Sequence, residues 1–355
     1  MSPVMRLMLV LLAAAVAVPA ANASSAPGKG RRVTVMTQNL YLGTDLGPIF
    51  GARTPFAVFG AVGLGWAQVQ ANDFPARAEA VADEIASADP DLVGLQEATL
   101  YRTDVPSDGP VSPAGTIAYD YVQLLVDALA RRGLQYDVAA TFTGTDAELP
   151  AGLPPALDVR LTDRVVVLAR HRADEDDDRP WVSNPRTGSY AAAVTIPTVV
   201  GPIVLPRGWA SVDVRLHGTT FRFVTTHLEA FASPVRLAQA SELVSGPAAV
   251  HMPVVVVGDM NSGPGLDLGA YNVFAGAGFT DEGAGGAATC CHANDLHDPD
   301  PTLGKRIDLV LSRGFAGGTV DVVGEDPADR TANGLWPSDH AGVVATLQLP
   351  HPAGG

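Results

Sequence analysis

The feature that most constrains this chain is a run of four valines, Val254-Val255-Val256-Val257, passing directly into Gly258-Asp259-Met260-Asn261. Consecutive β-branched side chains favour extended backbone, and a run apolar on both faces suits a strand covered on both sides. Six further segments share this character: Val33-Thr34-Val35-Met36-Thr37, Asp91-Leu92-Val93-Gly94-Leu95, Val165-Val166-Val167-Leu168, Phe221-Arg222-Phe223-Val224-Thr225, Ile307-Asp308-Leu309-Val310-Leu311 and Gly342-Val343-Val344-Ala345-Thr346. Strands like these, spread along the whole chain, call for layered sheets. Helical periodicity is clear in three places. Phe74, Ala78, Val81, Ala82 and Ile85 follow Asp73, an expected N-cap. Tyr121, Leu124, Leu125, Ala128 and Leu129 precede a stop at Gly133. A third helix is expected from Ser233 as N-cap, with Pro234 in its first turn, to Gly246. Helices interspersed with buried strands predict sheets covered by helices.

Polar groups recur where these strands give way to loops, the usual place for functional side chains. Asn39 follows the first strand and Glu97 ends the second. His227 ends Phe223-Val224-Thr225-Thr226, and Asp259 and Asn261 follow the valines, where Gly258, Gly263 and Gly265 allow a tight turn. Asp308 lies within a strand, and Pro337-Ser338-Asp339-His340 precedes the last one. Carboxylates are rarely buried unpaired, so their repetition on successive strands points to a shared site rather than to packing. The residue types suit hydrolysis at phosphorus, which needs a hard cation to neutralise phosphoryl oxygens and lower the pKa of attacking water. Asn39, Glu97 and Asp339 offer oxygen ligands that suit Mg²⁺, Mn²⁺ or Ca²⁺ rather than zinc. Imidazole supplies a general acid or base near neutrality, and Asp308 is the natural acceptor to orient His340.

Taken in order, Gln38-Asn39, Gln96-Glu97, Thr226-His227-Leu228, Gly258-Asp259-Met260-Asn261, Arg306-Ile307-Asp308 and Ser338-Asp339-His340 resemble the motifs of the endonuclease/exonuclease/phosphatase superfamily. That group includes DNase I-like nucleases, abasic-site endonucleases, inositol-polyphosphate 5-phosphatases and neutral sphingomyelinases. The match spans residues 33 to 347. The resemblance implies a four-layer αββα sandwich of two packed mixed sheets covered by helices, one domain over 30–350, with the site at one sheet edge. It also implies roles. Glu97 is the principal metal ligand with Asn39 beside it, and Asp339 serves the metal or the phosphate. Asp259 and Asn261 hold or polarise the water. His340, paired with Asp308, is base or phosphate ligand, and His227 stabilises phosphoryl oxygens or assists the leaving group. Asp163, at the start of Asp163-Arg164-Val165-Val166-Val167-Leu168, is expected to partner His227. The alternative for Asp163 is a strand-edge charge paired with Arg164 or Arg160.

Other features bound the substrate and the compartment. Arg6, the apolar stretch Leu7 to Val18 and Ala21-Asn22-Ala23 read as a signal peptide over 1–23, cleaved after Ala23, so the mature chain is expected to be secreted. The net charge is −15, and Arg6 contributes +1 of it, which leaves −16 for residues 24–355. No basic footprint offsets this, which argues against broad nucleic-acid affinity. The acidic run Asp174-Glu175-Asp176-Asp177-Asp178 reads as a solvated loop. Cys290 and Cys291 are adjacent, so they form either a strained vicinal disulfide or two free thiols. His292 and His297 make zinc conceivable there, although the spacing matches no CxxC framework. The segment 46–72, with Ile49, Phe50, Phe56, Phe59, Leu64 and Trp66, is either a packed insertion over the core or an apolar rim beside the substrate mouth. Trp336 is either packed or part of a lipid-facing surface.

The expectation is an exported, Mg²⁺-dependent (or Mn²⁺/Ca²⁺-dependent) phosphodiesterase or phosphatase acting on a phospholipid or small phosphoester. Transient contact with a membrane surface is expected and no obligate protein partner. The alternatives are an extracellular DNase I-like nuclease and a non-catalytic binding protein of the same fold.

Overall fold

The computed structural model describes residues 31–172 and 178–350. The expected signal peptide, 1–23, lies outside these residues, and of the acidic run only Asp178 lies within them. In chain order the elements are β1 (Arg32–Asn39), α1 (Gly47–Gly51), α2 (Pro55–Ala71), α3 (Phe74–Ala88), β2 (Leu92–Gln96), β3 (Leu100–Asp104), β4 (Thr116–Asp120) and α4 (Tyr121–Arg131). There follow β5 (Tyr136–Ala151), β6 (Leu157–Arg170), β7 (Trp181–Ser189), β8 (Val194–Thr198), β9 (Gly201–Leu205), β10 (Gly208–Leu216), β11 (Thr219–His227) and α5 (Ser233–Ser245). The last are β12 (Val254–Asp259), α6 (Gly269–Gly276), β13 (Thr280–Asp281), β14 (Asp308–Arg313), β15 (Gly318–Val323) and β16 (Gly342–Gln348).

One sheet runs β15-β16-β1-β2-β6-β3-β4, with β5 also paired to β6. The other runs β13-β14-β12-β11-β10-β7. Each is mixed, with one parallel pair, β1 with β2 and β11 with β12, among antiparallel neighbours. β8 and β9 form a separate ribbon. The apolar runs lie on β1, β2, β6, β11, β12, β14 and β16, with Asp91 and Ile307 just outside their strands.

The two-residue period of a strand decides what each valine meets. Val255 and Val257 face Val33, Val35, Val165 and Val167 of the opposite sheet. Val254 and Val256 face Ala240 and Leu243 of α5 and Phe274 of α6. On the outer face of the first sheet, Met36, Val93, Val166 and Leu168 pack with Phe74, Val81, Leu125 and Leu129 of α3 and α4. The result is four layers, helix–sheet–sheet–helix, with a core in each gap. Burying one such side chain contributes roughly 1.5–3 kcal/mol, and a one-residue slip would exchange the two faces. The sheets approach closely at Gly94, where a Cβ would lie 2.5 Å from Val257 Cγ2. Beside it, Gln96 Nε2 donates to Thr225 Oγ1 at 2.9 Å, and Thr37 Oγ1 donates to Gln96 Oε1 at 3.1 Å. The first of these buried bonds ties the two sheets together and the second fixes the Gln96 amide within its own sheet, just below the edge that carries the polar residues.

Two of the expected helix starts hold as read. Asp73 caps α3 through Ala76 N–H, and α4 begins at Tyr121, capped by Asp120, with Gly133 in left-handed backbone beyond its end. At α5, Ser233 is the first helical residue rather than the cap, and its hydroxyl instead accepts from Arg236. The segment 46–72 forms α1 and α2, which were not expected as helices. α2 is apolar nearly all round, with Val58, Val62 and Val69 buried while Phe56 and Leu64 are exposed. No stripe therefore marks it in the sequence. Trp336 is fully buried, stacked on His292 at 4.1 Å, with Nε1 donating to the Asp298 carbonyl, so it is a packed residue. Cys290 and Cys291 are joined as a disulfide. His292 Nδ1 is engaged by Asp298 at 2.8 Å, so this imidazole is committed to a partner other than the cysteines.

Candidate active site

Register assembles the site. Parallel pairing sets His227 opposite Asp259, and antiparallel pairing sets Asp259 opposite Asp308, so three functional side chains share one row at the end of the second sheet. On the first sheet Asn39 pairs with Gln96 at the ends of β1 and β2, and Glu97 follows. The two ends meet where Asn39 Nδ2 donates to Asp259 Oδ2 at 3.3 Å. Gly258 is needed for a reason other than a turn: it lies within β12, where a Cβ would sit 2.0 Å from the Thr226 carbonyl oxygen. Glu97 and Asn261 hold left-handed backbone, with φ of +50° and +46°. Such conformations are costly for side-chain-bearing residues and cluster at functional sites.

His340 is the best-anchored imidazole. Its Nδ1 lies 2.8 Å from Asp308 Oδ2, and the same oxygen accepts from Thr289 Oγ1 at 2.7 Å. Burial opposes its charged form, but Asp308, Asp339 and Asp259 outweigh burial and hold its pKa well above the usual imidazole range. Its Nε2 is 3.9 Å from Asp259 Oδ2. Burial, then the charge of Asp308, pushes Asp259 up to about 6, with His340 opposing. Asp259 Oδ1 accepts from Asn261 N–H at 2.8 Å. Burial also pushes Asp339 up to about 7; His340 opposes the rise and the charge of Glu97 adds to it. Glu97 itself is raised by burial and by Asp163, against a 2.7 Å hydrogen bond from Leu42 N–H.

His227 is held differently. Arg207 Nη1 approaches its Nδ1 at 2.9 Å and also donates to Asp163 Oδ2 at 3.2 Å. The expected direct pair of Asp163 and His227 is therefore corrected: a guanidinium stands between them. The strand-edge alternative fails as well, because Arg164 pairs with Asp120 and Arg160 with Asp146. Burial, then the positive charges of Arg207 and His340, hold His227 well below the usual imidazole range. The lowered pKa favours the neutral ring, with Arg207 facing Nδ1 as a donor. Its Nε2 lies 3.4 Å from Asp259 Oδ2 and 3.1 Å from Asn261 Nδ2, which also donates to the Leu228 carbonyl at 3.0 Å.

Three residues at the site escaped the sequence. Arg207 left one faint signal, a lone cation between Pro206 and Gly208 ahead of an apolar strand. Arg77 left a better one, a lone cation beside the apolar stripe Phe74, Ala78, Val81. Arg77 is fully buried and donates to the carbonyls of Leu40 at 2.8 Å and Pro337 at 3.0 Å, joining the loops that carry Asn39 and Asp339. Thr289 gave no signal.

The site thus joins the His340–Asp308 pair with Asp259 in reach of both, the buried carboxylates of Glu97 and Asp339, Asn39 bonded to Asp259, and a second imidazole. The model of the Endonuclease/Exonuclease/phosphatase family matches residues 36–340. The chain belongs to this family. As a member, it is a hydrolase of phosphoric ester bonds. No curated protein matches the sequence. Among solved structures, a family protein from Bacteroides thetaiotaomicron is similar at 17% identity over 90% of this chain and 98% of that one, with a TM-score of 0.55. A mannosyl-6-phosphatase from Bacteroides thetaiotaomicron VPI-5482 is similar at 16% identity over 89% and 99%, with a TM-score of 0.53. A humanized D. rerio TDP2 is similar at 18% over 90% and 99%, with a TM-score of 0.51. At these identities the likeness shows the shared fold.

Proposed function

We propose that this protein is an exported, divalent-metal-dependent phosphodiesterase or phosphatase whose substrates are phospholipids or small phosphoesters. The observation that carries the substrate reading is the apolar mouth beside the catalytic edge. Phe231, four residues past His227, is 63% exposed and meets Phe50 of α1 edge-on, with ring centroids 6.1 Å apart. Next to Phe50 lies an apolar cavity of about 80 Å³, lined by Leu46, Ile49, Trp66, Leu161 and Leu205. The β8–β9 ribbon has no charged residue from Val194 to Leu205 and exposes Val199, Val200 and Val204. Exposed apolar surface of this kind suits a lipid surface or an apolar substituent on the ester, and the net charge of −15 disfavours a long polyanion. The mannosyl-6-phosphatase of the same fold supports the small-phosphoester arm.

The donor set fits a hard divalent cation such as Mg²⁺, Mn²⁺ or Ca²⁺. Glu97, Asp339 and the amide of Asn39 would bind through oxygen, and burial, with neighbouring negative charge, raises the pKa values of Glu97 and Asp339, a cost that a cation relieves. When bound, such an ion supplies positive charge to the phosphoryl oxygens and acidifies water. The chain's own residues do the rest. Asp308 keeps His340 protonated, so its Nε2–H can donate to a phosphoryl oxygen as negative charge develops there. Asp259, with a pKa of about 6, is ionised near neutrality and suited to take the proton of the attacking water. His227 stands beside Asp259, with Nε2 3.4 Å from Oδ2, while Arg207 holds the ring from behind at Nδ1. Asn261 presents an amide donor beside it.

The test is a substrate panel of sphingomyelin and phosphatidylcholine vesicles, inositol phosphates, a sugar phosphate, plasmid DNA, RNA and a chromogenic phosphodiester. Turnover of a lipid or small phosphoester is expected, lost on chelation and restored by Mg²⁺ or Mn²⁺. A clear preference for DNA or RNA would overturn the substrate reading. Export is tested by the mass of the secreted product, whose amino terminus should be Ser24.

A further inference from the structure

Away from the catalytic edge, Glu84 of α3 is only 6% exposed, and among the described residues neither of its carboxylate oxygens has a hydrogen-bond partner. A buried carboxylate without donors or a countercharge is unfavourable and needs an explanation. Glu84 lines a cleft of about 890 Å³ whose other walls carry Glu325, Asp326 and Asp329, from the connection between β15 and β16. The backbone of that connection approaches as closely as it can. Gly324 has a φ of +83°, and a Cβ there would lie 2.8 Å from Glu84 Oε1. Cations near the cleft are committed elsewhere. Arg132 pairs with Glu79 and Asp83, and Arg330 donates to the carbonyls of Asp298 and Gly334 while covering the Trp336 ring. Burial raises the pKa of Glu84 well above the ordinary value, and Asp329, Glu325 and Asp83 add to the rise. Burial raises Glu325 too, with Asp329, Asp326 and Asp321 contributing.

We propose that this cleft binds a hard divalent cation of the Ca²⁺ type, anchored by Glu84 and closed by Glu325 and Asp329. The cleft lining offers carboxylates, the Ser87 and Thr331 hydroxyls and the Asn333 amide, with no sulfur or imidazole ligand, which disfavours soft metals. Ca²⁺ accepts irregular sets of about six to eight oxygens at about 2.3–2.6 Å, water included, whereas Mg²⁺ demands a tighter octahedron. Asp329 uses one oxygen to accept from Asp326 N–H at 3.2 Å, which leaves the other for the ion. Among the described residues, the groups of three ligands already within reach of one ion lie at the catalytic edge. Glu325 and Asp329, both partly exposed, therefore swing inward on binding. The bound ion ties α3 to the β15–β16 connection. α3 carries Arg77, and the same connection continues to Trp336 and Asp339, so the site braces the catalytic edge from behind.

Ca²⁺ stoichiometry is measured by titration calorimetry on the full chain, alongside thermal melts. Wild type should bind one equivalent more than Glu84→Gln, and Ca²⁺ should raise its melting temperature more than that of the variant. Glu97→Gln, altered only at the catalytic edge, should keep the Glu84-dependent equivalent. A paired Glu325→Gln/Asp329→Asn variant, changed at partly exposed positions, should lose the same equivalent and serves if Glu84→Gln does not fold. The proposal is overturned if the variants that fold bind as much Ca²⁺ as wild type and gain as much thermal stability from it.

Discussion

Replacing Asp308 with Asn should lower kcat/KM by about 10- to 150-fold while leaving the fold intact. Asp308 is fully buried, and one of its oxygens serves both His340 Nδ1 at 2.8 Å and Thr289 Oγ1 at 2.7 Å. Asn keeps the shape and an acceptor but removes the charge. A charge-assisted hydrogen bond contributes roughly 1.5–3 kcal/mol. If the imidazolium is needed in the transition state, that loss converts to the stated range at about 1.36 kcal/mol per tenfold. The pH profile carries a sharper signature. The negative charge of Asp308 raises the pKa of both His340 and Asp259, so its removal lowers both. The acid limb, where Asp259 must be ionised, and the alkaline limb, where His340 must stay protonated, therefore both move to lower pH. The assay is kcat/KM against pH on a chromogenic phosphodiester, with circular dichroism to verify folding. Undiminished activity, or an equal loss at every pH with neither limb moved, would refute the charge-based role given to Asp308.

Loading Mg²⁺ or Mn²⁺ into the chelated protein near pH 7 should release protons, because Glu97 and Asp339 have raised pKa values that a cation lowers; calorimetry in buffers of different ionisation enthalpy measures this, and zero release would contradict the assigned ligands. Arg207→Ala removes a positive charge from His227 Nδ1, so this ring should titrate at higher pH by NMR, although burial still holds it down. An unmoved His227 resonance would show that the guanidinium does not govern the ring. Gly94→Ala forces a Cβ to within 2.5 Å of Val257 Cγ2 and 2.6 Å of Thr225 Oγ1, and should cost about 1–3 kcal/mol in urea unfolding. An unchanged midpoint would mean that the sheets separate more easily than the close approach implies.

Much of the architecture was legible because its central strands are buried on both faces, and a run such as Val254 to Val257 has few other ways to fold. The outer strands were harder to read. β7 is largely exposed, and β5 mixes buried and exposed positions along Tyr136–Ala151 with two register shifts, so neither shows a clean period. α2 was missed because a helix apolar on most sides has no stripe. At the site, Asn39, Glu97, His227, Asp259, Asn261, Asp308, Asp339 and His340 were visible as polar groups interrupting or ending apolar runs. The alignment of His227, Asp259 and Asp308 in one row is a property of strand register, which local sequence does not encode. Asp163 shows the limit most clearly. Its position near the site could be read, but its partner could not, because Arg207 reaches His227 from 20 residues upstream through tertiary packing.

The central claim, metal-assisted hydrolysis of a phosphoester by a His340–Asp308 pair, is tested most directly by comparing wild type with His340→Ala on the best substrate of the panel, with and without chelator. Wild type should turn over only with Mg²⁺ or Mn²⁺ present, and His340→Ala should stay folded yet lose activity in either condition. Undiminished turnover by folded His340→Ala, or wild-type activity that survives complete chelation, would contradict the mechanism.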